Sequence, residues 1–212
     1  MKYTEALLCA LALALGATGA ACKGDADKPA IALKASAQPR QAVIRVALSA
    51  AFVSEAGVPI YRQITDHVTK SSGQRLELLN GLSYETINKM LASGDIEVGF
   101  VCGYPYVLSH DKPVPEADLL VAPVMKNPRY GGAPKYYSDL VVRQDSPYRR
   151  LEDLKGKVYA YNEEISNSGY NLPRFRFVEA NLPKGFFGKI KRSGSHEESI
   201  RMVASGEADA SY

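Results

Sequence analysis

Apolar positions in residues 42–124 form short runs that are separated by segments with the spacing of a helix. Runs of this length, rich in Val, Ile and Leu, predict β-strands. The predicted strands in this part of the chain are AVIRVAL (42–48), RLELL (75–79), IEVGFV (96–101) and DLLVAPV (118–124). Helical segments separate the first three strands. Because parallel strands need such crossovers, the pattern predicts a mostly parallel sheet covered by helices.

Two helices are predicted between these strands. The first has Ser54 as a candidate N-cap. Its apolar positions recur every four residues, at Ile60, Ile64 and Val68, with Tyr61 alongside. The second helix starts at Ser83, runs to Ala92 and is ended by Gly94.

From Tyr136 onwards the same order of elements starts again. YYSDLVVR (136–143) predicts a strand that leads into DSPYRRLEDLKGK. The elements predicted after it are the strand VYAY (158–161), a helix from about Ser168 to Ala180, the strand GKIK (188–191), a helix over 195–204 and the strand ADASY (208–212). The last helix carries the capping-box signature Ser195-x-x-Glu198.

One phrase occurs twice, at a fixed offset of 112 residues. SYETINKMLASGDIEVGF (83–100) lies over SHEESIRMVASGEADASY (195–212). Convergence would explain the match, since many α/β units have a Ser-capped helix that ends at Ser-Gly before a short strand. We favour two lobes of similar build, because the offset holds without gaps over 18 positions. Each lobe would then offer the residue after its helix cap, Tyr84 or His196, to a shared cleft.

The N-terminal segment has the pattern of an export signal. Lys2 supplies a weak positive region, and ALLCALALAL (6–15) is an apolar run too short to span a membrane. Small residues follow up to Cys22, as in a bacterial lipobox, with Gly19 at the position where Leu is usual. We therefore expect residues 1–22 to be a signal peptide and Cys22 to be lipidated. The protein would be periplasmic or on the cell surface, anchored to a bacterial membrane; plain export is the alternative.

Composition and charge are those of an ordinary globular chain. The 212 residues are 46% hydrophobic and 23% charged, and the net charge of +3 is too small to argue for a nucleic-acid partner. Residues 23–42 are rich in Ala, Lys, Asp and Pro without periodicity, which predicts a linker. With Cys9 and Cys22 outside the folded body, Cys102 has no disulfide partner there. Its apolar neighbours predict a small core residue.

No catalytic or metal-binding motif has the required spacing. The three histidines, His67, His110 and His196, lack the i, i+4 spacing of a ligand pair. G-x-S-x-G, GxxxxGK[ST] and GxGxxG do not occur in the sequence, and RYGGAPK (129–135) predicts a flexible loop. The sequence therefore predicts no cofactor.

The stretch YNEEISNSGYNLPRF (161–175) carries the candidate binding chemistry. Ser166, Asn167 and Ser168 stand at the predicted start of a helix, where main-chain N–H groups are unpaired. With their own hydroxyl and amide donors they predict a site for a tetrahedral oxyanion, although S-x-S-G is also a good N-cap. A helix terminus contributes only about 0.3–1 kcal/mol, whereas micromolar affinity needs about 8 kcal/mol. The further donors that we consider, each at the end of an element, are Tyr84, Tyr136 and His196; a surface or edge-of-core position is the alternative for each.

At these residues the chain resembles the periplasmic solute-binding proteins of phosphate, phosphite and phosphonate ABC importers. The resemblance runs from about Val43 to Tyr212. Its markers, in order, are SYETI, YYSDLVVRQDS, LEDLKGK, YNEEISNSGY, FFG, SGSHEESI and GEADAS. It implies an α/β fold of the type II periplasmic-binding-protein class, in which two lobes close on the ligand. Lobe 1 would span 43–141 and lobe 2 would span 142–212.

The resemblance also implies a function and a site. The chain would capture a small phosphorus oxyanion (phosphate, phosphite or a phosphonate), deliver it to ABC permease subunits in the membrane, and catalyse nothing. The implied ligand contacts are Tyr84, Tyr136, Ser166, Asn167, Ser168 and His196. Asn167 stands where many relatives carry Thr or His. In the family the chain continues beyond the strand after GEADAS and crosses back, so we expect a C-terminally truncated sequence, with the second lobe and the return to the first lobe incomplete.

Two other classes of function stay open at this point. One is the ligand-sensing domain of a signalling system, which a following transmembrane or kinase segment would favour. The other is an enzyme on the same fold. An enzyme would need a positioned base or nucleophile, and His196 has no obvious orienting carboxylate in the sequence.

Overall fold

Two small β-sheets organise residues 42–212, the part of the chain that the computed structural model describes. The predictions for the signal peptide, for lipidated Cys22 and for nearly all of the linker concern residues outside this range. Within residues 42–212, no helix has the length and apolar character needed to cross a membrane. In the same range, no group of His, Cys, Asp and Glu side chains could hold a metal ion.

The first sheet has three parallel strands. They are β1 (Val43–Ser49), β2 (Arg75–Leu82) and β3 (Val98–Phe100), in the order β2-β1-β3. Its helices are α1 (Val58–Ser72), α2 (Tyr84–Ser93) and α3 (Gly103–His110). A buried cluster of Ala47, Ile87 and Ile96 joins α2 to the sheet. The predicted parallel sheet with helical crossovers is confirmed for these three strands.

The second sheet has four strands. They are β4 (Val141–Val142), β5 (Val158–Tyr161), β6 (Lys189–Arg192) and β7 (Ala210–Ser211), in the order β4-β7-β5-β6. Only β4 runs antiparallel to its neighbour. The helices of this half are α4 (Leu172–Glu179) and α5 (His196–Ser205). Its core is aromatic, with Tyr159, Phe186 and Phe187 packed beside Leu154. The lobe boundary between 141 and 142 falls inside β4 and stays a prediction.

The repeated phrase forms the same unit in both halves. Ser83 and Ser195 cap α2 and α5, each accepting a hydrogen bond from the main-chain N–H three residues on, at 3.1 and 3.0 Å. Gly94 and Gly206 end these helices with φ of 75° and 80°, a conformation that favours glycine. The strands that follow, β3 and β7, lie parallel to β1 and β5.

A π-helical turn, Asn167–Asn171, precedes α4. The N–H of Asn171 donates to the Ser166 carbonyl at 2.9 Å, five residues back, which is the spacing of a π-helix. Pro173 has no N–H to offer the Gly169 carbonyl in an ordinary α-turn, and that carbonyl accepts from the Tyr159 hydroxyl at 3.4 Å instead. A helical segment therefore lies where the sequence predicted one from about Ser168, but its first turn is π-helical.

The strand predicted over 118–124 is wrong. These residues have no regular structure, and Leu119, Leu120 and Val121 are exposed, Val121 to 76%. A strand needs a neighbour to pair its main-chain groups, and among residues 42–212 the only strand paired with β3 is β1. The apolar pattern alone does not supply that neighbour.

The predicted helix α1 is present, but its predicted start at Ser54 is wrong. Ser54 makes no side-chain cap, because a 3-10 turn at Glu55–Gly57 comes first and α1 begins at Val58. The four-residue apolar row, Ile60, Ile64 and Val68, is exposed in the described part of the chain. Thr65 is the buried residue of this helix.

The capping box predicted for α5 is half-formed. The Glu198 side chain pairs with Arg201 at 2.7 Å rather than turning back to the main-chain N–H of the cap residue.

Candidate functional site

Asn167, the first residue of the π-helical turn, contacts two residues of the other half. The Asn167 side-chain amide donates to the Tyr136 hydroxyl at 3.0 Å. The Asn167 main-chain N–H donates to the Cys102 sulfur at 3.3 Å. Cys102 is the N-cap of α3, so the starts of two helical segments meet at its thiol. These contacts bring residues from positions 102, 136 and 167 into one group.

Ser168 and His196 form the second part of the site. The Ser168 hydroxyl and the His196 Nε2 lie 3.0 Å apart. The His196 ring lies against Gly169, where an added Cβ would sit 3.1 Å from Cε1. The Ser168 carbonyl accepts from the Ser138 hydroxyl at 2.5 Å, which holds this residue from the opposite side. Because Ser168 follows Asn167 directly, the two parts of the site are adjacent.

Ser166 has a supporting place behind these residues. It is fully buried, and its hydroxyl accepts from the Gly169 N–H at 3.2 Å as the N-cap of the π-helical turn. The alternative that the sequence left open for S-x-S-G, a good N-cap, thus describes Ser166 itself. As an acceptor in that bond, the hydroxyl keeps its own proton to donate.

Tyr84 is the first residue of α2 and is fully buried. Its ring stacks on Phe52, with ring centroids 6.1 Å apart and planes at 4°. Its hydroxyl lies beside the Cys102 thiol, next to the group that contains Tyr136 and Asn167, and contacts no other polar group among residues 42–212 within hydrogen-bond distance. A buried phenol of this kind is a ready donor.

The structure therefore brings five of the six predicted site residues together. The sixth, Ser166, is buried beside them as the N-cap of the π-helical turn.

Cys102 is the residue that sequence analysis missed. It was interpreted as a small core residue, but it is only partly buried and contacts Asn167 at the site. The available signal was Pro105, because a proline is tolerated in the first turn of a helix and would place a helix start just after Cys102.

The donors of this site are neutral at pH 7. Burial raises the pKa of the Tyr84 and Tyr136 hydroxyls and lowers the pKa of the His196 imidazole. Burial also raises the pKa of the Cys102 thiol, which therefore stays protonated. Within residues 42–212, no lysine or arginine makes a hydrogen bond or ion pair with these side chains. Hydroxyl, amide and main-chain donors can hold a small oxyanion without a cationic side chain.

Gly103 leaves the Asn167–Tyr136 pair open. It is exposed at the first position of α3. A Cβ added there would lie 3.8 Å from the Asn167 amide nitrogen and 3.9 Å from the Tyr136 hydroxyl. The missing side chain at 103 therefore leaves a space beside two of the candidate donors.

We expect the stability of the protein to depend on pH through His196. Burial holds its folded-state pKa below the ordinary 6.5, so its contribution is fully present above pH 6.5 and is lost as the pH falls through the folded-state pKa. The free energy of unfolding, measured in urea from pH 8 to pH 5, should therefore fall more steeply in the wild type than in His196→Gln. Parallel curves for wild type and His196→Gln would contradict this prediction.

Comparison with known proteins gives a family and a fold. The family model described as ABC transporter, phosphonate, periplasmic substrate-binding protein matches residues 47–211. Among solved structures, a binding protein component of an ABC phosphonate transporter from Pseudomonas aeruginosa matches with a TM-score of 0.70 and 20% identity over 81% of this chain and 56% of that one. PhnD1 from Prochlorococcus marinus, in complex with methylphosphonate, matches with a TM-score of 0.62 and 16% identity over 80% of this chain and 62% of that one.

A third similar structure is that of a protein named for a different ligand. The periplasmic aliphatic sulphonate binding protein SsuA from Escherichia coli matches with a TM-score of 0.52 and 16% identity, over 80% of this chain and 50% of that one. At these identities the likeness establishes a shared fold. This chain spans between half and five-eighths of the length of the three solved structures.

Proposed function

Because the chain belongs to the family of periplasmic substrate-binding proteins of phosphonate ABC transporters, we propose that it captures a small phosphorus oxyanion between its two halves. Its fold is the two-lobed α/β fold of periplasmic binding proteins, as the sequence predicted. The ligand is phosphate, phosphite or a phosphonate. The binding residues are Tyr84, Tyr136, Ser166, Asn167, Ser168 and His196.

One observation carries this proposal: the donors at the start of the helical segment 167–179 meet donors from the other half. Asn167 contacts Tyr136 of the other half at 3.0 Å, and the adjacent Ser168 contacts His196 of its own half at 3.0 Å. An anion at this point gains the N–H groups of the helix start as well as these side chains. The site therefore offers the convergence of donors that a single helix terminus lacks.

The site is built for capture rather than turnover. Ser168 and His196 have the spacing of a nucleophile and its base, but a catalytic pair needs a third group that orients the base. The main chain of Tyr212 contacts the His196 ring, and no Asp or Glu side chain among residues 42–212 hydrogen-bonds to it. The protonated Cys102 thiol is a poor nucleophile. We infer that the chain is not an enzyme.

The remaining parts of the proposal follow from family membership. A substrate-binding protein of an ABC transporter delivers its ligand to permease subunits in the membrane, so the partners of this chain are a small-molecule ligand and a permease. The family places it in the periplasm. The candidate signal peptide and Cys22 support export and a lipid anchor, which radiolabelled palmitate incorporation in wild type and Cys22→Ala would test.

The test of the proposed function is calorimetric titration of the full chain with phosphate, phosphite and methylphosphonate. We expect at least one of these anions to bind. Ser168→Ala should weaken that binding about 10- to 100-fold, because a hydrogen bond to a charged group contributes about 1.5–3 kcal/mol. Ser71→Ala is the matched control, since Ser71 is exposed on α1 and hydrogen-bonds only within that helix. Absence of binding by a folded wild-type chain would reject the ligand class.

A further inference from the structure

The first main-chain N–H of each repeated helix donates to the opposite half of the protein. At the start of α2, the Tyr84 N–H donates to the Glu163 carboxylate, Oε2, at 3.2 Å. At the start of α5, the His196 N–H donates to the Ala51 carbonyl at 2.9 Å. The first N–H of each repeated helix is therefore satisfied by a residue that follows a strand of the other sheet, β5 for α2 and β1 for α5.

These two contacts are related by the repeat. The donors Tyr84 and His196 are 112 residues apart, and the acceptors Ala51 and Glu163 are also 112 residues apart. This is the offset of the duplicated phrase, so the two contacts join equivalent positions of the repeat in opposite directions. An arrangement in which each half holds the other through equivalent positions is the geometry of a symmetric interface.

The two contacts differ in the kind of acceptor. Ala51 accepts through its main-chain carbonyl and Glu163 through its side-chain carboxylate. The Ala51 carbonyl also accepts from the Asn162 amide at 3.3 Å, which reinforces that contact. The other contact depends on one carboxylate that can be replaced by mutation. Glu163 is 95% buried, in agreement with a fixed position.

Three charged groups lie near Glu163, and none of them replaces the Tyr84 N–H as the hydrogen-bond donor to its carboxylate. Arg192 on β6, Glu164 on the same loop and Glu85 on α2 contribute to its electrostatic environment. Arg192 is paired with Glu164 at 3.3 Å. A carboxylate on the first N–H of a helix is favoured by the partial positive charge of that terminus.

Building on the proposed function, we propose that Glu163 is a positioning residue for ligand capture, which holds the N-terminus of α2 from the opposite half and so keeps Tyr84 at the site and the cleft closed. Glu163 does not touch the ligand in this scheme. It acts through Tyr84, whose main chain it binds and whose ring stands beside Cys102 at the site.

The first experiment needs no ligand. Amide hydrogen exchange, resolved by NMR, is compared at Tyr84 and at His196 in the wild type, Glu163→Ala and Glu163→Gln. We expect Glu163→Ala to exchange about tenfold faster at both amides, because opening of the cleft exposes both contacts. Glu163→Gln keeps an acceptor oxygen and should restore most of the protection. Glu164→Ala, which changes the exposed neighbour of Glu163, should leave both amides as in the wild type.

The second experiment links this contact to capture. Methylphosphonate is titrated into the same four proteins, and the dissociation rate constant is measured with the affinity. Glu163→Ala should bind about tenfold more weakly, mainly through faster dissociation, because a cleft that opens more often releases its ligand more often. Glu163→Gln should lie close to the wild type.

Two results would overturn the proposal. One is faster exchange at Tyr84 with unchanged exchange at His196, which would reduce Glu163 to a local helix cap. The other is a Glu163→Ala variant that opens in the exchange experiment and still binds methylphosphonate as the wild type does. If the wild type binds none of phosphate, phosphite and methylphosphonate, the proposed function fails, and the exchange result still decides whether Glu163 holds the two halves together.

Discussion

Replacing Gly103 by leucine is expected to weaken oxyanion binding strongly while the protein stays folded. The Cβ of residue 103 would lie 3.8 Å from the Asn167 amide nitrogen and 3.9 Å from the Tyr136 hydroxyl. A Cβ alone makes ordinary contacts at these distances, but the longer branches of leucine reach into the space beside both donors. We expect affinity to fall by about 100-fold or more, equivalent to roughly 2.7 kcal/mol.

The fold should tolerate this change because Gly103 is exposed at the start of α3. Leucine is a better helix former than glycine by about 1 kcal/mol, so thermal stability should be kept or slightly increased. Titration calorimetry measures the affinity, and thermal unfolding checks the fold. Gly103→Ala is the graded control and should stay within about threefold of the wild-type affinity, less than 0.7 kcal/mol. Wild-type binding by a folded Gly103→Leu protein would place the ligand elsewhere.

Ile87→Ala is expected to have the largest effect on stability. Ile87 is 0% exposed on α2 and packs with Ala47 and Ile96 against the first sheet. Its Cγ2 packs closely on β3, where a Cβ added to Gly99 would lie only 2.8 Å away. Removing a buried isoleucine side chain costs about 2–5 kcal/mol. Urea unfolding should show this loss as a lower midpoint.

The matched control is the same substitution on the other repeated helix. Ile200 lies on α5 and is 53% exposed, so Ile200→Ala should change the free energy of unfolding by less than about 0.5 kcal/mol. Similar losses in both variants would mean that exposure on α5 is lower in solution than in this structure. A small loss at Ile87 would contradict the assigned core of the first half.

Local signals were sufficient for most elements of the fold. Ser83 and Ser195 supply caps, Gly94 and Gly206 supply ends, and the short β-branched runs between them become strands. These features act over a few residues, so a single sequence contains them. The segment 118–124 has an equally good strand pattern and forms no strand. Whether such a run becomes a strand depends on a distant neighbour, and the pattern of one segment does not contain that information.

The residues of the candidate site could be predicted where they lie together in the sequence. They were missed where they depend on contacts between the two halves. Asn167 and Ser168 stand out at the start of a helical segment, and the repeat pointed to His196. The role of Cys102 becomes visible only when α3 is placed against the π-helical turn. Glu163 is one of two neighbouring acidic residues in a loop, and nothing in that stretch indicates its contact with Tyr84, 79 residues away.

The π-helical turn has a consequence for the alignment of this chain with its relatives. A π-turn holds one residue more than an α-turn, so the segment Asn167–Asn171 is equivalent to a one-residue insertion at the start of an ordinary helix. A relative without this turn aligns correctly on both sides only if a gap is opened inside NSGYN. If the gap is omitted, either the donors before it or the residues of α4 after it are matched one position out of step. Binding residues should therefore be transferred between relatives by superposing the turn.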